Sequence, residues 1–301
     1  MYAAVTIRHG PKKDDPNLHL IPGAVTLDEK ADQVIRDYAN DFIIEISPYD
    51  ITVVNIYSTI VKRASQTAQI LYDFLSRQEG LVVKAPRFDS IGSYINHNGQ
   101  EINLSSNAMS KEWQRGKQIE WEEGKYARGI KKEDLPLLLW CQKGFDNHGY
   151  FGLDLPKGDS GVSLRETAAR VGDYILSRLD ENEKCCGATS ESKADLIISH
   201  SGDLEPWLFL TLAMIRGHDS SKEDYMVEMF NHIGGGLMPM EGISVLDEGY
   251  GLVLRYHNAL SFLPDLPNEE PLGKDILQEQ RRWVKEHGIG DKVLEQRLKS
   301  A

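Results

Sequence analysis

Four side chains of this 301-residue chain stand where chemistry on phosphorus would need them. Arg8 and His9 precede Gly10 at the end of an apolar run, Arg63 lies shortly after a second run, and His200 closes another. A neutral imidazole can attack phosphorus. The planar fork of an arginine meets two phosphoryl oxygens at once, where a lysine offers only a point charge. A second histidine, charged or donating, would stabilise the charge that builds on the equatorial oxygens.

The elements that must carry these groups can be read from the hydropathy pattern. Residues 2–7 (YAAVTI), 51–57 (ITVVNIY), 81–85 (LVVKA) and 194–199 (ADLIIS) are short, apolar and rich in β-formers, as buried strands are. Helices are expected between them. One starts at Thr26, where Thr26-Leu27-Asp28-Glu29 has the capping-box spacing, after a polar loop over residues 11–23. A second is capped by Ser58 and Thr59 and buries Ile60, Ala64, Ala68, Leu71 and Leu75. A third follows the box Ser163-Leu164-Arg165-Glu166 and buries Leu164, Ala168, Val171, Ile175 and Leu179. Residues 181–192 read as an exposed loop. A fourth helix is expected from about Pro206, with Asp203 as its cap. Residues 242–257 alternate about a Glu-Gly-Tyr-Gly turn as a β-hairpin, and the tail from Asp275 is a charged helical segment interrupted at Gly288.

Strands alternating with helices imply an α/β fold: a three-layer sandwich whose central, mostly parallel sheet carries helices on both faces. Ligands of such sheets gather at the carboxyl ends of the strands, where Arg8-His9, the segment from Ser58 to Arg63, and His200 all fall. A single domain over residues 1–301 is expected. Residues 92–160, polar, weakly periodic and dotted with Trp113, Trp121 and Trp140, are expected to form an inserted cap.

Composition limits the partners. With 41% hydrophobic and 27% charged residues the chain can bury a core and remain soluble. A formal net charge of −12 argues against a nucleic-acid binder, which needs a basic face, but not against a small phosphorylated substrate held by a few local cations. Three cysteines, two of them adjacent (Cys185 and Cys186), do not suggest a disulfide framework. The first residues have no pattern of a secretion signal, and no run has the apolar length of a membrane span, so a cytoplasmic protein is expected. The absence of an H-E-x-x-H pair or a Cys-x-x-Cys pair argues against a metal site.

Arg8-His9-Gly10, Lys62-Arg63-Ala64 with Gln66-Thr67-Ala68, and Ser199-His200-Ser201-Gly202 together resemble the motifs of the histidine phosphatase (phosphoglycerate mutase-like) superfamily. The resemblance covers residues 1–90 and about 158–257. It implies that His9 is the nucleophile and carries a phosphohistidine intermediate, that Arg8, Arg63 and His200 bind the phosphoryl group, and that no cofactor or metal takes part.

Two positions depart from the family pattern. Its usual general acid is a Glu after the third strand, where this chain reads Arg87-Phe88-Asp89-Ser90-Ile91-Gly92. Asp89 is the first candidate for that role and Asp203 the next. Pro11-Lys12-Lys13 follows Gly10, and Lys12 resembles the position of an extra phosphate-binding Arg in the acid-phosphatase branch. The expected activity is hydrolysis of a phosphomonoester or phosphoanhydride. The alternatives are a phosphoglycerate-type mutase and a non-catalytic module that binds a phosphorylated ligand or a protein.

Overall fold

The computed structural model describes residues 1–12, 26–59, 61–89, 164–186, 192–218, 239–247, 249–256 and 269–287, and between them 91, 94–95, 101–102, 225, 229 and 236–237. The chain divides into two compact units. One comprises Met1–Ile91, Tyr174–Leu204 and Leu237–Asp275; the other comprises Gly92–Asp173, Glu205–Gly236 and Ile276–Ala301.

The first unit is built on an eight-stranded sheet. In chain order its strands are β1 (Tyr2–Arg8), β2 (Ile51–Ser58), β3 (Val82–Val83), β4 (Arg87–Phe88), β7 (Ser192–Ser199), β8 (Gly242–Asp247), β9 (Leu252–Tyr256) and β10 (Glu269–Leu272). They lie in the order β10-β9-β8-β1-β7-β2-β3, and β4 also pairs with β2. The pairs β1–β7, β7–β2, β2–β3 and β2–β4 are parallel; β8, β9 and β10 add an antiparallel flank beside β1. This is the α/β class, with a mixed but mostly parallel central sheet.

Strand alternation sends two sets of side chains to opposite faces. Val5, Ile7, Val54, Ile56, Leu196 and Ile198 point to one face, where they pack with Ile35 and Phe42 of α1 (Ala31–Ile46) and Leu71 and Leu75 of α2 (Lys62–Leu75). Each such side chain, removed from water, contributes about 1.5–3 kcal/mol. Tyr2, Asn55, Tyr57 and Asp195 point to the other face. There the ring of Tyr57 meets Tyr174 edge-on, and Arg178 pairs with Asp195. Both partners belong to α3 (Leu164–Cys186), so helices cover both faces.

One glycine sets the spacing beside β1. A Cβ on Gly242 would stand 1.9 Å from the Thr6 carbonyl oxygen, so any side chain there would force β8 away from β1.

In the second unit, side chains of α4 (Ser201–Arg216) and α5 (Lys274–His287) meet through Gln280. Gln280 accepts from Trp207 Nε1 at 3.2 Å and donates to Thr211 Oγ1 at 3.1 Å. Gly172 of α3 makes room for it, because a Cβ there would lie 1.7 Å from Gln280 Oε1.

Several boundaries differ from those expected. α1 begins at Ala31 rather than Thr26, because the Leu27 amide donates to Gln66 Oε1 (3.2 Å) and Leu27 bridges Lys12 as extended chain. Ser58 and Thr59 do not cap α2: Ser58 ends β2, Thr59 contacts His200, and the helix starts at Lys62 after an extended Val61. α3 continues through Glu181 to Cys186, where an exposed loop was expected. α4 starts at Ser201, so Pro206 lies inside the helix and Asp203 in its first turn. β10 was not anticipated. Ser163, Ile60, residues 13–25 and nearly all of 92–160 lie outside the described residues. The described pieces of that last stretch, β5 (Tyr94–Ile95) and β6 (Glu101–Ile102), pair with each other in a separate two-stranded sheet. Among the described residues no helix is long and apolar enough to cross a membrane.

Candidate active site

The sheet brings the motif residues to one edge. β1 and β7 run parallel with Arg8 opposite Ser199, so His9 and His200 are each the first residue beyond their strand. The His9 amide donates to the Ser199 carbonyl at 3.0 Å, extending the ladder by one step. On the other side of β7 the Thr59 amide donates to the Ile198 carbonyl at 3.2 Å. The carboxyl ends of β1, β7 and β2 therefore stop at the same level, with both imidazoles between them.

Arg63, in the first turn of α2, reaches both histidines. Its Nε donates to His9 Nε2 at 2.7 Å, and its Nη2 stands 3.4 Å from His200 Nδ1. The two rings lie edge to face, with centroids 5.3 Å apart. These contacts assign the tautomers. His9 Nδ1 is 2.7 Å from the Gly10 carbonyl, which can only accept, so Nδ1 carries the proton and Nε2 the lone pair. An arginine can only donate, so His200 Nδ1 carries a lone pair and Nε2–H donates to Thr59 Oγ1, 3.1 Å away.

Both imidazoles are buried, His9 and His200 each being 3% exposed. Burial is the largest cause holding His9 well below the usual histidine range, followed by His200 and by the Arg63 charge. His200 is depressed likewise, by burial first and then by Arg63 and Arg8. Neutral rings result, and a neutral ring is what a nucleophile requires.

Arg8 is fixed through its backbone and its head group. Its amide donates to the Glu241 carbonyl (2.8 Å), and its own carbonyl accepts from Met240 N (3.1 Å). Nη1 donates to the Leu237 carbonyl. Nε is buried and has no partner among the described residues, which leaves a donor for a ligand oxygen.

Four residues that the sequence reading did not assign to the site hold it together. Thr67 Oγ1 accepts from the Gly10 amide at 3.0 Å and donates to the Arg63 carbonyl at 2.8 Å, tying the turn after β1 to α2. Gln66 anchors Leu27 as described above. Thr59 orients His200. Ser199 Oγ donates to Asp203 Oδ2 at 2.7 Å, both groups being buried. Gln66 and Thr67 lie within the motif already in view, and its spacing from Arg63 was the available signal. Ser199 likewise lies within the motif around His200, whereas nothing in the local sequence marked Thr59 for its contact.

The remaining candidates are placed as follows. Asp203 does not cap a helix that begins at Pro206; it lies in the first turn of α4, directly after His200, whose carbonyl accepts from the Asp203 and Leu204 amides at 3.2 Å. Asp89 follows β4, and its amide donates to the Ser58 carbonyl at 2.9 Å, which brings it to the same sheet edge. Its carboxylate faces the Tyr174 phenol, which is raised by burial and then by the Asp89 charge. Lys12 is exposed, in a loop held by the Leu27 bridge and by the Asp28 amide donating to the Pro11 carbonyl at 2.8 Å. Among the described residues no group of three or more His, Cys, Asp or Glu could hold a metal ion.

No family model matches the chain, and no curated relative does. Among solved structures it is similar to a mycobacterial glucosyl-3-phosphoglycerate phosphatase in complex with inorganic phosphate. The identity is 16% over 84% of this chain and 94% of that one, and the TM-score is 0.45. It is similar also to a phosphoglycerate mutase from Bacillus anthracis, at 14% identity over 93% of this chain and 96% of that one, with a TM-score of 0.38. Both proteins are histidine phosphatase superfamily members. The likeness is distant, and the fold class stated above rests on the strand order and pairings.

Proposed function

We propose that this chain is a phosphatase that hydrolyses a small phosphorylated substrate through a phosphohistidine on His9. The observation that carries this reading is the lone pair of a buried, neutral His9, on Nε2, 2.7 Å from the Arg63 guanidinium and across from His200. An isolated histidine would need none of this surrounding positive charge, whereas a phosphoryl group would need all of it.

His9 Nε2 attacks phosphorus, the N–P bond forms, and the bond to the leaving oxygen breaks. Arg63 gives up its hydrogen bond to Nε2 and donates to phosphoryl oxygens instead, alongside Arg8 Nε and His200. The proton stays on Nδ1, donated to the Gly10 carbonyl, which stabilises the positive charge the ring acquires when phosphorylated. The leaving oxygen takes a proton from Asp89, whose backbone pairs with the end of β2, whereas Asp203 is occupied by Ser199. Water then attacks the phosphohistidine, releasing phosphate and restoring the lone pair on His9. Lys12 supplies a further cation at the mouth.

The test is to incubate the protein with a 32P-labelled phosphomonoester and quench in alkali, which preserves phosphohistidine. Label on the wild type, its absence from His9→Ala, and turnover of p-nitrophenyl phosphate by the wild type alone are the expected results. A folded wild type that neither turns over nor takes up label would establish a binding module instead.

A further inference from the structure

The first unit has a concave region on the sheet face opposite α1 and α2. It is an open cavity of about 370 Å³ between β2, β7 and the latter part of α3. Its lining carries four cations, Lys84, Arg87, Arg178 and Lys193, against two carboxylates, Glu181 and Asp195, in a chain whose formal net charge is −12.

The two carboxylates are already engaged. Asp195, 2% exposed, accepts from Asn55 Nδ2 at 2.6 Å on one oxygen, and from Tyr2 OH (2.7 Å) and Arg178 Nε (3.1 Å) on the other. Glu181 pairs with Arg178 Nη2. The Arg178 guanidinium also lies 4.5 Å from the centre of the Tyr57 ring, so its plane is fixed by three partners. Asp195 and Glu181 together neutralise Arg178 and one charge more. Lys84 and Arg87 come from the edge of the sheet and Lys193 from β7. Like charges converge on one cavity at a cost that an anion would relieve.

We propose that this cavity is a second anion site, binding a phosphate dianion, either free or carried by a small phosphomonoester. Lys84, Arg87 and Lys193 meet its oxygens, and the Arg178–Asp195–Tyr57 assembly is a rigid wall against which the anion seats. The site contains no nucleophile and binds without reaction. It shares no residue with the His9 site, lies on a sheet face rather than at the strand ends, and stands whether or not the chain is a phosphatase.

Binding of inorganic phosphate is measured by equilibrium dialysis with 32P-phosphate, on the full chain and on three variants. The wild type is expected to bind two phosphates. Lys84→Gln/Arg87→Gln is expected to bind one with unchanged affinity and the other at least about tenfold more weakly, the loss of two charge-assisted contacts. Lys84→Gln/Lys193→Gln should behave alike, which guards against a local effect of one pair. His9→Ala/Arg63→Ala should lose the other phosphate and keep this one. Repeating the dialysis with glycerol phosphate in competition tells the sources apart: displacement identifies the phosphomonoester as an acceptable ligand, and none restricts the site to the free ion. A single phosphate per chain that the lysine variants leave untouched would overturn the proposal. So would a second phosphate that persists unchanged in both lysine variants.

Discussion

Arg63 Nε donates to His9 Nε2 at 2.7 Å, so the guanidinium occupies the lone pair that attacks phosphorus in the proposed reaction. A phosphoryl group entering the site offers Arg63 better acceptors, charged oxygens in place of a neutral nitrogen, and thereby frees the nucleophile. In that reaction Arg63 both restrains the ring and binds the group that releases it.

Replacing Arg63 with Lys keeps the charge but loses the fork that spans His9 and His200. A fall in kcat/KM of at least about tenfold is expected, the scale of one charge-assisted contact in a dry site. Steady-state kinetics with p-nitrophenyl phosphate check it. Equal kcat and KM in wild type and variant would remove Arg63 from the clamp.

The buried histidines make stability depend on pH. In the unfolded chain both titrate near about 6.5, and in the folded protein both are held well below that. Below about pH 6.5 the unfolded state therefore binds more protons, so stability falls as pH drops from there toward the folded values. The protein should melt at progressively lower temperature between about pH 7 and 5. His9→Ala should abolish turnover, remain folded at pH 7.5, and show a shallower decline. A melting temperature of His9→Ala that follows the wild-type pH curve would contradict the assignment.

If Asp89 is the acid, its value scales with how poor the leaving group is. Asp89→Asn should slow hydrolysis of an alkyl phosphate by about 10²-fold or more and spare p-nitrophenyl phosphate, whose leaving group needs little help. Asp203→Asn weakens a buried contact with Ser199 and should chiefly lower the melting temperature. Small, equal effects of Asp89→Asn on both substrates would exclude it.

Thr67 is a positioning residue. Thr67→Val leaves the Gly10 amide without its acceptor, at about 1–3 kcal/mol, and should reduce kcat more than it alters KM. Thr67→Ser restores the hydroxyl and should recover kcat. Recovery of stability without recovery of kcat would show a structural role only.

The strand ends were legible because buried parallel strands leave continuous apolar runs: residues 2–7, 51–57 and 194–199 all lie in strands, and the groups just past them converge. Helix starts were less legible. The box at Thr26 is a local signal that lost to a distant one, since Gln66 captures the Leu27 amide. Thr59 looked like a cap, but its hydroxyl is drawn to His200 by the pairing of β2 with β7. Pro206 suited a first helical turn by itself, yet the His200 carbonyl already starts the helix three residues before Asp203. For Thr26 and Thr59 the deciding partner lies far away in the chain, whereas for Pro206 it is the nearby His200 carbonyl.

That strand order also governs when the protein becomes whole. β7 inserts between β1 and β2, and the bonded pair Tyr2 and Asp195 are 193 residues apart. At roughly 5–20 residues per second, a ribosome delivers β7 on the order of 10 s after β2. During that interval β1 and β2 are apolar strands without the neighbour that separates and pairs them. The pairing that sets His9 beside His200 therefore cannot form until β7 has been made. Until then, β1 and β2 are unpaired apolar segments of the kind a chaperone shields.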